Sequence, residues 1–256
     1  MKKKVLLLTG AAGFLGKNLL KHFVTYKNVI AIDYNKKNLL KLKKSFKDYS
    51  NKVDFFPYDI TKRKDILKIK NFSKKKNYFI DVIINNAALN PPVVLRKNVK
   101  LAYESEIHKD FNVGIIGSYL IIKEFMDSMV KNKSGKIINI GSDLSILSPD
   151  HEMYLYKNLK SLKSISYPIV KHGLVGLTKY FATYLAKNNI SCNMLSPGPI
   201  NNNQPNFLKK KLIEKNPSKR LAHVDEIVEV IDFLINLKTN YLNGQNIIID
   251  GGKNII

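Results

Sequence analysis

Short apolar runs recur along the chain at "KVLLLT" (4–9), "VIAID" (29–33), "VDFFPYD" (53–59), "DVIINNA" (81–87), "KIINIGS" (136–142), "ISCNMLSP" (190–197) and "QNIIIDGG" (245–252). Most are continuously apolar, which is the pattern of strands buried on both faces of a parallel sheet. Between them lie segments with steps of three and four, such as Ile107, Phe111, Ile115, Tyr119, Ile122, Met126 and Met129. That spacing predicts helices with one apolar stripe. Sustained strand-helix alternation predicts an α/β fold: a Rossmann-type doubly wound parallel sheet of about seven strands with helices on both faces. At 256 residues, without internal repeats or linker-like stretches, the chain reads as one domain, 1–256.

The first turn carries the first chemical signal. "TGAAGFLG" (9–16) follows a strand and opens a helix, the setting in which glycines let a pyrophosphate approach a helix N-terminus. Gly10, Gly13, Phe14, Leu15 and Gly16 are therefore candidate cofactor contacts. Asp33 ends the second strand, where a carboxylate can accept hydrogen bonds from a ribose diol and repel a 2′-phosphate. NAD is expected over NADP, although Lys36 and Lys37 stand close enough to weaken that preference.

Composition changes this picture little. The formal charge is +23, yet of 43 basic residues only Arg63, Arg96 and Arg220 are arginine. Nucleic-acid recognition favours the arginine fork, so a nucleic-acid partner is not expected, and the charge reads as lysine-rich helix faces. No segment approaches the roughly eighteen apolar residues of a membrane span. The first apolar run, Val5 to Leu8, is too short for the core of a secretory leader and predicts a buried strand. The single cysteine, Cys192, sits in a strand-like context, and a cytoplasmic location is expected.

With the glycine turn, "YDI" (58–60), "NNAA" (85–88), "FNVGIIG" (111–117), "IGS" (140–142), "YPIVKHG" (167–173), "SPGPI" (196–200) and "DGG" (250–252), the chain resembles the short-chain dehydrogenase/reductases over nearly its whole length. The resemblance implies that Asp59 and Ile60 flank the adenine and that Asn86, Ala87 and Ala88 line the cofactor. It implies that Pro197, Gly198 and Ile200 border the nicotinamide, and that the protein is a homotetramer or homodimer. Three departures stand out. The glycine spacing is that of the family's extended members, Ala88 replaces a commoner glycine, and the gap between Ser142 and Tyr167 is long.

That gap creates an ambiguity, because Tyr-x-x-x-Lys occurs twice, as Tyr156 with Lys160 and as Tyr167 with Lys171. Distance from Ser142 favours Tyr156. Context favours Tyr167, since Pro168 suits a helix's first turn and Lys171 leads directly into the stripe Leu174, Leu177, Phe181, Tyr184 and Leu185. Tyr167 and Lys171 are therefore the expected pair, and residues 143–166 an insertion that acts as a flap over the substrate. If helical, the insertion would carry Leu155, Leu159, Leu162 and Ile165 on one stripe.

A free phenol, with a pKa near 10, is a poor base at neutral pH, and a nearby ammonium would favour its ionised form. Tyr167 with Lys171 thus predicts proton exchange with a hydroxyl during hydride transfer between nicotinamide and a secondary alcohol or ketone. The resemblance gives Lys171 the nicotinamide ribose, Ser142 the reacting oxygen and Asn112 a water that links Lys171 to solvent. The insertion and the segments after it are similar to a subgroup linked to flagellin glycosylation and nonulosonic (legionaminic) acid biosynthesis. This implies an amino sugar, sugar phosphate or nucleotide sugar, with His151, Lys157, Lys160 and Lys163 available to an anionic substrate. A 3-oxoacyl thioester reductase, and a sugar-nucleotide epimerase or dehydratase that retains NAD, are the alternatives.

Overall fold

The computed structural model describes residues 2–90, 94–98 and 100–256. β1 (Lys3–Thr9) leads through the glycine turn into α1 (Phe14–Phe23), followed by β2 (Asn28–Ile32), α2 (Lys36–Ser45), β3 (Val53–Phe56), α3 (Arg63–Lys75) and β4 (Tyr78–Asn85). The second half runs through α4 (Glu104–Phe111), a π-helical turn (Asn112–Gly117), α5 (Ser118–Asn132) and β5 (Gly135–Ile140). A small hairpin of β6 (Leu155–Tyr156) and β7 (Leu159–Lys160) precedes α6 (Ser166–Leu185) and β8 (Ile190–Pro197). α7 (Asn206–Glu214), α8 (Val224–Asn236) and β9 (Asn246–Ile249) complete the order.

Seven strands form one parallel sheet in the order β3-β2-β1-β4-β5-β8-β9. The chain steps outward from β1 to β3, then returns to the other side of β1 at β4. The carboxyl ends of β1 and β4 therefore flank the point where the winding reverses, the usual crevice of such sheets. The apolar runs lack alternation because both faces are covered. Along β1, Leu6 and Leu8 pack with Leu19, Phe23 and Ile231 on one side. Val5 and Leu7 pack with Ile66, Ile122 and Phe181 on the other.

All seven expected strands are present, but several end earlier than their apolar runs. β3 stops at Phe56 before Pro57, β4 at Asn85 and β5 at Ile140. The residues just beyond these ends are turn residues that leave the sheet at its carboxyl edge, where the candidate site residues lie.

The helix stripes differ from the expected ones in two places. Ile122 and Met129 are buried as expected, but Tyr119 is exposed and Ser118, Ile121 and Phe125 join the buried face. The π turn widens the hydrogen-bond ring by one residue, so everything after Gly117 is rotated relative to a pure 3.6-residue reading. On α6, Tyr184 points outward and stacks on Tyr180, while Thr178 takes a buried position. Within the insertion, residues 155–165 are not helical. Leu155 pairs with Lys160 and Tyr156 with Leu159, with Lys157 in the left-handed region at φ 53°.

α6 presses closely on the π turn. A Cβ added to Gly114 would lie 2.3 Å from Val170 Cγ1, and one added to Gly173 would lie 3.1 Å from Ile115 Cδ1. Only glycine lets the two backbones approach this far, which sets the depth at which Lys171 enters the core. Gly114→Val is expected to destabilise the protein by about 1–3 kcal/mol through overpacking. An unchanged midpoint in urea unfolding would show that α6 does not bear on the turn.

Candidate active site

The crevice end of β1 is built from backbone shaped by glycine. Gly10 adopts φ +65°, and a Cβ there would lie 2.9 Å from Ala87 Cα. At Gly16 a Cβ would lie 2.1 Å from Gly10 O, so α1 starts directly against the turn. Gly13 caps α1 without a side-chain hydrogen bond, and the first N–H groups of the helix, at Phe14 and Leu15, have no capping side chain. Such an end offers donors and a positive dipole to an anion. Phe14 is partly exposed, and Leu15 packs against the core.

The other cofactor candidates hold this turn in place. The Thr9 hydroxyl accepts the N–H groups of Asn86 at 3.0 Å and Ala87 at 3.1 Å, and the Asn86 amide donates to Thr9 O and Gly10 O at 3.1 Å each. Asp33 accepts from Ala12 N at 3.0 Å and Asn35 N at 2.9 Å, tying β2 to the glycine turn. Ala88 is exposed. Asp59 accepts from the Thr61 N–H and hydroxyl at 2.9 and 2.7 Å. The Ile60 side chain is buried in the core and faces Gly117. At the far side, Gly198 donates to Ile249 O at 2.9 Å, so close to Asp250 that a Cβ would lie 2.8 Å from its Cα. Pro197 ends β8, and Ile200 bridges to Ala222. Cradle, uncapped helix end and carboxylate together fit a dinucleotide.

The candidate reacting groups meet beyond β5. The Lys171 ammonium is buried and donates to Ile140 O at 2.7 Å, 5.5 Å from the centre of the Tyr167 ring. Burial pushes its pKa down to about 8, and the nearby charge of Lys163 acts in the same direction. Tyr167 is half-buried as a residue but its hydroxyl lies at the enclosed end. Burial pushes the phenol up to about 12, the Ser142 hydroxyl pulls it down, and Asp143 and Tyr154 push it up. Ser142 donates to Asp143 Oδ1 at 2.9 Å, and its oxygen accepts from Leu144 N at 3.2 Å. Asn112 stands at the first position of the π turn, on the helix packed against α6, with its side chain exposed. The structure brings Ser142, Tyr167 and Lys171 together.

Tyr156 lies elsewhere. Its ring stacks on Phe207 of α7 at 4.8 Å, and Lys157 covers it at 5.7 Å. Lys160 exchanges two backbone hydrogen bonds with Arg96, both 2.8 Å, which joins the hairpin to the loop after β4. Lys211 donates to Glu152 O and Leu155 O at 2.9 and 2.6 Å, and Lys215 pairs with Asp150, fastening the insertion to α7. His151 is exposed, and of His151, Lys157, Lys160 and Lys163 only Lys163 reaches the Tyr167 ring.

A family model described as enoyl-(acyl carrier protein) reductase matches residues 25–254. The chain belongs to the short-chain dehydrogenase/reductase family. It is an NAD(P)-dependent oxidoreductase of that family, similar to the 3-oxoacyl-[acyl-carrier-protein] reductase of Thermotoga maritima at 29% identity over 98% of each chain. The post-translational flagellin modification protein A of Campylobacter coli is 26% identical, again over 98% of each chain. A short-chain dehydrogenase from Leptospira borgpetersenii with bound NAD+ superposes with a TM-score of 0.83 at 26% identity, covering 100% of this chain and 94% of that one.

One ion pair beside this oxidoreductase's candidate site has no counterpart in the sequence pattern. Asp143, next to Ser142, is buried and pairs with Lys253 at 2.6 Å, linking the loop after β5 to the segment after β9. Asp250 sets that segment by accepting from Gly252 N and Asn254 N at 3.0 and 2.8 Å. No motif signals a pair separated by 110 residues. Lys253→Met leaves the Asp143 carboxylate buried and unpaired, with an expected loss of about 3 kcal/mol. Adding Asp143→Asn should recover most of it, and a double variant as unstable as the single one would show that the pair is not coupled.

Proposed function

We propose that this protein transfers a hydride between NAD and a secondary alcohol or ketone on an anionic sugar derivative, with Tyr167 as the acid-base group. The supporting observation is the placement of a buried ammonium, Lys171, and a hydroxyl, Ser142, beside the Tyr167 phenol. In the oxidative direction the Tyr167 phenolate takes the proton of the substrate hydroxyl, and in reduction the phenol returns it. Ser142, whose hydroxyl is turned to Asp143 Oδ1, would rotate it to donate to the reacting oxygen as charge develops there. Lys171 stays protonated and favours phenolate. Asn112 holds a water through which Lys171 exchanges protons with solvent. NAD, when bound, supplies the hydride acceptor or donor.

Gly10, Gly13, Phe14, Leu15 and Gly16 would hold the pyrophosphate, and Asp33 the adenosine ribose. The remaining contacts would come from Asp59 and Ile60 at the adenine, from Asn86, Ala87 and Ala88 along the cofactor, and from Pro197, Gly198 and Ile200 at the nicotinamide. A carboxylate at the end of β2 supports NAD over NADP, since a 2′-phosphate there would meet its charge; each Asp33 oxygen accepts one backbone N–H and keeps a lone pair for a ribose hydroxyl. The insertion supports the sugar substrate: it is fastened over the Tyr167 side of the site and carries Lys163 there. The full-length similarity to a flagellin modification protein points the same way. A second reading, reduction of a 3-oxoacyl thioester, is favoured by the similarity to acyl-carrier-protein reductases at 29–30% identity. We place the enzyme in the cytoplasm as a homo-oligomer.

Nicotinamide absorbance with NAD or NADP and a panel of nucleotide-activated amino sugars, sugar phosphates and acetoacetyl thioesters tests both readings. Turnover of a sugar with NAD is the expected result, and turnover of the thioester alone with NADPH would overturn it. Tyr167→Phe should abolish turnover while NAD still binds, and Tyr156→Phe should keep most of it. The reverse pattern would refute the assignment. Oxidation needs phenolate and should quicken as pH rises, while reduction needs phenol and should slow.

A further inference from the structure

The insertion delivers a charge to the catalytic phenol itself. Lys163 Nζ lies over the Tyr167 ring, 3.8 Å from its centre, nearer than Lys171 at 5.5 Å. Its ammonium donates to the Asn90 side-chain oxygen, which fixes it between the loop after β4 and the ring. Attraction between a cation and an aromatic face increases when the ring gains negative charge on ionising.

The groups that face this phenol explain what a second cation does. From the loop after β5 come Ser142 and Asp143, and from the insertion comes Tyr154. The Asp143 carboxylate opposes phenolate, although Lys253 partly answers it at 2.6 Å. Lys171 favours phenolate from α6. Asp110, near the end of α4, accepts from the Ser166 hydroxyl, and the charges of Asp143 and Asp110 both favour the Lys163 ammonium. Burial works against that charge, bringing Lys163 to about 8, and the two lysines repel each other.

We propose that Lys163 is a positioning residue for proton transfer: the insertion supplies a second ammonium over the ring that, with Lys171, eases ionisation of the Tyr167 phenol against burial and Asp143. This rests on Tyr167 being the acid-base group. It gives the insertion a part in the chemistry in addition to covering the substrate.

The test reads the phenol directly and needs no substrate. Protein with tyrosines isotope-labelled at Cζ is saturated with NAD and titrated by NMR, with the Tyr167 signal assigned by its loss in Tyr167→Phe. Lys163→Met should raise the Tyr167 midpoint by about one pH unit. Lys163→Gln, which keeps a polar donor for Asn90 but no charge, should do the same, and Lys163→Arg should restore the original value. An unchanged midpoint in either neutral variant, or an arginine variant shifted as far as the neutral ones, overturns the proposal. Failure of the underlying reading looks different, because Tyr167→Phe would then keep its turnover whatever the midpoint does.

Discussion

Lys171 brings an ammonium into the core and donates there to Ile140 O at the end of β5. A buried ammonium is costly unless it is answered, so its position must be fixed by the packing around it. The strand supplies the carbonyl, and the close approach of α6 to Gly114 supplies the depth. The same strand end leads straight into Ser142 and Asp143, so the charge and the groups it acts on share one support. Tyr167 then needs only one helical turn to bring its phenol to the ammonium.

The cofactor side depends on backbone in the same way. Gly10 and Gly16 remove the atoms that would separate α1 from the turn, and Asn86, Thr9 and Asp33 lock the shape left behind. These polar side chains are occupied in holding the cradle, so substitutions there will alter fold and binding together. The reacting groups lie at the carboxyl edge of the same sheet, which places cradle and chemistry on one rigid frame.

Much of this was legible in the sequence because the controlling signals are local. Seven apolar runs became seven parallel strands, and the glycine turn needed only its strand-helix context. The choice of Tyr167 over Tyr156 came from the residues downstream of each tyrosine, and the structure separates them: one lies beside a buried lysine, the other stacks on Phe207. The π turn was not legible: Asn112–Gly117 holds two glycines, three β-branched residues and an asparagine, all weak helix formers, but such a composition does not specify an extra residue in the turn. Nor was the hairpin, whose apolar spacing of three and four matched a helix. Lys163 was one of many lysines until the hairpin's attachment to Arg96 and α7 fixed where its chain returns to α6. The Asp143–Lys253 pair joins distant segments and leaves no pattern at all.

NAD, Lys171 and the Tyr167 phenol would act as one electrostatic unit. The most direct measurement is calorimetry of NAD binding at mildly alkaline pH in buffers of different ionisation enthalpy, which counts the protons exchanged on binding. A positive nicotinamide beside the phenol should lower its pKa, so the wild-type protein should release protons and Tyr167→Phe should release far fewer. Equal proton release by the two proteins would contradict the account.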